Sequence, residues 1–111
     1  MPDILVSDES VERALDWLRD NAHDIGEAKR MAVKSEKMLH HFKAMAMKLS
    51  NVDGVGAQER EAFASEMYVG AVTAAADAAG IYEEMKAMRE AAALKIEVWR
   101  SSSANYRAMK I

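Results

Sequence analysis

The chain of 111 residues contains no cysteine, and that absence removes disulfides, thiolate metal sites and a cysteine nucleophile together. It also fits a reducing compartment. Aromatic residues make up only 6% of the sequence, and much of its 50% apolar content is alanine and methionine. Large side chains for a core are therefore scarce. A single domain of this length sits near the lower limit for burying an independent core, so self-association is a natural source of further burial. No apolar run approaches the roughly 20 residues that span a bilayer. The opening MPDILVSDES is acidic and poor in hydrophobics, unlike a secretory signal. A soluble protein of the cytoplasm is expected.

Signs of catalysis are missing too. His40 and His41 are adjacent, so a helix turns them about 100° apart, and they chelate one metal poorly. His23 has no partner at helical spacing. Gly54-Val55-Gly56 is half of a dinucleotide fingerprint with no strand before it, and reads as a turn. Glu59/Glu61 and Glu83/Glu84 read as solvated carboxylates on helix surfaces. No Ser-His-Asp or phosphate-loop pattern occurs. The expectation is a non-enzyme with no cofactor and no metal.

What the chain does have is helical periodicity from end to end, without strand-type alternation. Ser7, Asp8 or Ser10 suits a helix N-cap. Val11, Leu15, Leu18, Ala22 and Ile25 step by threes and fours, and Ala32, Leu39, Phe42, Ala46 and Leu49 resume the count. Asn21 to Gly26 (NAHDIG) is a candidate break, which gives helices near 8–22 and 24–50, either separate or fused. The turn is placed at 51–56, where two glycines and Asp53 cluster. A short helical turn over 57–64 precedes a long helix opened by Ser65 and Glu66. Its stripe runs Met67, Ala71, Ala74, Ala78, Ile81, Met85, Met88, Ala92, Ile96, Trp99. The small residues between Gly70 and Gly80 suit close approach of another helix. The expected fold is one all-α domain: an elongated antiparallel helical hairpin with an extra N-terminal helix, second arm and basic tail over 57–107, assembled as a homo-oligomer.

Charge is laid down in blocks. Residues 1–28 carry net -6, residues 29–48 net +5, residues 49–85 net -6, and the remaining tail net +4, on a chain whose total is -3. The blocks can pair within a subunit, pair between subunits, or stay apart as separate surfaces. The tail holds Lys86, Arg89, Lys95, Arg100, Arg107 and Lys110 with Trp99 and Tyr106 among them. Cations for phosphates and flat side chains for bases are what single-stranded nucleic acid requires. Met88, Ile96, Trp99 and Tyr106 are expected to anchor the oligomer; on the other reading the cations are ordinary solvated residues and Trp99 is an interface anchor only. Met45, Met47, Met85 and Met88 serve either as core filler or as an adaptable groove.

The run REAAALKIEVWRSSSANYRAMK (residues 89–110), preceded by AQEREAFAS (57–65), resembles a family of small bacteriophage proteins. Those proteins share an ending of the form IE-[VA]-WR-[ST]-x-x-AN-x-R after an AQEREAYA-like segment. More distantly the chain resembles UvsY-type recombination mediators of T-even phages. These are all-helical, ring-forming proteins that bind single-stranded DNA and help load a recombinase onto strands coated by single-strand-binding protein. The resemblance implies a phage accessory protein acting in the host cytoplasm, with single-stranded DNA, a recombinase and a single-strand-binding protein as partners. The mediators' basic motif precedes a glycine-containing turn, which corresponds here to Lys43 and Lys48. Their aromatic and Leu-Arg-Leu character is replaced by Ala44-Met45-Ala46-Met47. Their assembly region corresponds to Ile96 through Met109.

Overall fold

Ser7 opens the first helix: its hydroxyl accepts the Ser10 amide N–H at 3.1 Å, and its carbonyl accepts that of Val11 at 3.1 Å. Asp8 and Glu9 then place negative charge on the positive end of the helix dipole. The computed structural model describes residues 6–109, and the described residues form three helices and no strand. These are α1 (Asp8–Leu49), α2 (Val55–Ala64) and α3 (Glu66–Met109).

The expected N-terminal helix is not a separate element. α1 runs without interruption through Asn21–Gly26. Asn21 turns its amide back onto the helix, donating to the Trp17 carbonyl at 2.9 Å, and Ile25 is buried. Burying an isoleucine is worth about 1.5–3 kcal/mol, against about 1 kcal/mol for Gly26 in a helix interior. Burial therefore outweighs the breaker.

α1 ends at Leu49, and the chain turns through Gly54, whose φ of 93° is open to glycine at little cost. α2 starts immediately afterwards, so the turn closes two residues before the expected Gly56. Gln58 fastens it, its side-chain amide donating to the Val52 carbonyl at 3.2 Å. Ser65 is the hinge between α2 and α3. Its amide and hydroxyl both donate to the Ala62 carbonyl, at 3.1 and 2.6 Å, and its hydroxyl accepts the Tyr68 amide at 3.2 Å. One serine thus ends one helix and caps the next.

The chain divides into two units. In the first, residues 6–25 and 84–109, the buried side chains are Val11, Ala14 and Ile25. In the second, residues 26–83, they are Ala46 and Ala62. α3 contributes no buried residue to either. Met67, Ala71, Ala78, Met85, Ala92, Ile96 and Trp99 of the expected stripe are half-buried, whereas Ala74, Ile81 and Met88 are exposed and Ala75 and Tyr82 are half-buried beside them. On α1, Ala14 is buried and Leu15 is 52% exposed. The glycines do not serve close helix approach within the chain, because a Cβ built at Gly70 or Gly80 meets nothing within 4 Å. Large apolar side chains stand exposed among the described residues, including Leu49 at 66%, Val69 at 52%, Ile81 at 56% and Leu94 at 65%.

Candidate nucleic-acid interface

On α3, 3.6 residues per turn bring Arg89, Arg100 and Arg107 within about 20° of one another, with Lys86 about 40–60° to one side. The three arginines are exposed and Lys86 is half-buried. Arg100 pairs with Glu97 one turn back at 3.2 Å, and both side chains are mostly in solvent. Such a pair is worth little and exchanges readily for another anion. Arg89, Arg107 and Lys86 make no ion pair among the described residues. These four cations form a strip.

The other cations expected at a nucleic-acid surface are placed elsewhere. Lys95 lies about 120–140° around α3 from the arginines. It lines a cleft of about 300 Å³ in the first unit with Arg13, Ala14, Trp17, Met88, Ala91 and Ala92. Lys43 is committed inside the second unit: its ammonium is 2.5 Å from the Glu59 carboxylate and 4.4 Å from the centre of the Phe63 ring. Its side chain is only 24% exposed. Lys48 is exposed in the last turn of α1, where a cation suits the helix dipole.

The residues expected as oligomer anchors also separate. Trp99 is half-buried and donates its indole N–H to the Asp8 carboxylate at 2.7 Å. It is therefore satisfied within its own chain. Ile96 is half-buried, whereas Met88 and Tyr106 are 47% and 52% exposed. Tyr106 shares a small cleft with Asp8, Trp99, Ser102 and Arg107.

Each unit holds charge of both signs: the described residues of the first carry seven cations and nine carboxylates, those of the second seven and eight. Lys43–Glu59 is the single ion pair between different helices among the described residues, while Arg19, Arg30 and Arg100 pair along their own helix. The Arg19 and Arg30 guanidiniums are held further toward the charged form by hydrogen bonds to Asp20 and Glu27, which changes no charge at ordinary pH.

No group of three or more potential metal ligands occurs among the described residues, and no described helix is long and apolar enough to cross a membrane. No protein-family model, curated protein or solved structure matches the chain.

Sequence reasoning passed over Trp17 and treated Arg13 only as a charge within an acidic block. Their spacing of four places them on one helix face beside the apolar stripe. That was the available signal.

Proposed function

We propose that this chain is a phage recombination or replication accessory protein of mediator type, which binds single-stranded DNA without sequence preference. The observation that carries the reading is the strip of Lys86, Arg89, Arg100 and Arg107, three of them exposed and only Arg100 in an ion pair among the described residues. Phosphate contacts along one helix edge do not depend on base identity. Assembly as a homo-oligomer in the host cytoplasm belongs to the same proposal. Its support is the set of large apolar side chains left exposed, Leu49, Val69, Ile81 and Leu94 among them. An antiparallel course of the chain is favoured within each unit. In the first, Asp8 meets Trp99 while residues 13–17 share a cleft with 88–95; in the second, residues 29–36 share a cleft with 75–83 and residues 36–43 one with 63–68.

A second reading, a helical assembly adaptor that does not bind DNA, is favoured by the near-cancellation of charge within each unit. Salt separates the two. Three or four phosphate contacts give a log–log salt slope of about -2 to -3 on a single strand, whereas apolar helical association lacks that dependence. Anisotropy of a labelled oligonucleotide across a salt series, with mass from light scattering, is the test. The proposal expects salt-sensitive binding that Arg100→Glu with Arg107→Glu abolishes. A folded oligomer that leaves the oligonucleotide free at low salt selects the adaptor.

A further inference from the structure

The cleft in the first unit has a chemistry of its own, on a different side of α3 from the arginine strip. Its floor is apolar, with Trp17 half-buried from α1 and Met88 from α3, separated by the small side chains of Ala91 and Ala92. Its two banks each carry one cation, Arg13 on α1 and Lys95 on α3. Both are exposed, and neither makes an ion pair or hydrogen bond among the described residues. Asp16 and Asp20 of α1 are both bonded to Arg19, at 3.3 and 3.1 Å. The Trp17 indole N–H also has no partner among the described residues, unlike that of Trp99. A buried or half-buried indole normally finds an acceptor.

We propose that this cleft binds a short acidic peptide segment of a partner protein, with one large apolar side chain seated between Trp17 and Met88. Carboxylates on either side of that anchor would meet Arg13 and Lys95. Volume and charge both argue for this occupant. About 300 Å³ is at the small end of ligand pockets, which suits one or two side chains rather than a whole helix. Tryptophan and arginine are the residue types that dominate binding energy at protein interfaces, and methionine adapts its shape to an anchor. Two unpaired cations across an apolar floor select a ligand that is acidic and apolar together. The inference is independent of strand binding, because none of the four strip residues lines the cleft.

The test uses the full chain and a fluorescein-labelled peptide, Gly-Asp-Asp-Phe-Asp-Asp-Gly, followed by anisotropy. Saturable binding is expected. Exchange of the peptide's Phe for Ala, or the double substitution Arg13→Glu with Lys95→Glu, should weaken it at least tenfold. Ala91→Phe, which fills the floor while keeping both cations, should do the same, and circular dichroism checks that each variant retains its helix. Lack of binding up to millimolar peptide overturns the proposal. So does equal binding of the Phe-to-Ala peptide, since charge alone would then suffice. Displacement of the peptide by an unlabelled single-stranded oligonucleotide would assign the cleft to nucleic acid instead. A fall in the free protein's mass on Arg13→Glu with Lys95→Glu would assign it to a second copy of the chain.

Discussion

Trp99 donates its indole N–H to the carboxylate of Asp8 at 2.7 Å, joining residues 91 positions apart. The bond ties the last turns of α3 to the first turn of α1, within the unit that also contains the arginine strip and the Trp17 cleft. It also gives Trp99 a role inside its own chain.

Trp99→Phe keeps most of the ring and removes the donor. A hydrogen bond to a charged group contributes about 1.5–3 kcal/mol when shielded, and solvent access here brings the expectation to about 1 kcal/mol. A lowered melting temperature with unchanged mass by light scattering is the expected result. Lower mass with an unchanged melting temperature would make Trp99 a contact between subunits.

Lys43 and Glu59 join α1 to α2, with Phe63 beneath the ammonium. A double-mutant cycle of Lys43→Met and Glu59→Gln should show a coupling of about 0.5–1 kcal/mol, characteristic of a partly shielded pair. Lys43→Met should leave oligonucleotide affinity within twofold, because its charge is already engaged. A tenfold loss of affinity would return Lys43 to the nucleic-acid surface.

Gly70→Ala and Gly80→Ala should each raise stability by up to about 1 kcal/mol, since alanine is the better helix former and the added Cβ meets nothing within 4 Å at either site. Urea titration reads the gain. A destabilised variant, or one of reduced mass, would reveal a neighbouring subunit packed against that glycine.

Gly54→Ala should have the opposite sign. At φ 93° and ψ 137° a Cβ is strained whatever space surrounds it, and the cost is about 1–3 kcal/mol. Urea titration of this variant beside the α3 glycine variants separates backbone strain from helix propensity. Equal stabilisation at all three positions would contradict the turn.

Ser50 is simpler. Its hydroxyl oxygen is buried and lacks a hydrogen-bond partner among the described residues. Ser50→Ala should therefore be neutral or slightly stabilising in a thermal melt, since a buried group without a partner carries a desolvation cost. A loss of more than about 1 kcal/mol would point to an ordered water on Ser50.

Helix content was legible because threes-and-fours spacing persists along the whole chain and strand alternation is nowhere present. The punctuation was legible where a residue type has one dominant use. Ser65 lies between two helices because its hydroxyl both accepts from Tyr68 and donates to Ala62, and Gly54 turns the chain because its φ is positive. The NAHDIG segment misled because local propensity said nothing of the burial that Ile25 gains. The arginine strip could be drawn from numbering alone, since helix geometry fixes which positions share an edge. Lys43 and Lys95 could not be assigned that way, because their neighbours, Glu59 and Arg13, are remote in sequence.

The sequence by itself determined that the described chain is helical, that α3 opens at Ser65, and that its charges alternate in long blocks. Those are local properties, set by backbone propensity, side-chain spacing and capping hydroxyls. Tertiary structure alone decided that Ala14 rather than Leu15 turns inward, that Trp99 meets Asp8, and that Lys43 pairs with Glu59. An alanine- and methionine-rich helix offers several faces of nearly equal hydrophobicity, so its rotation is fixed by contacts between residues far apart in the chain.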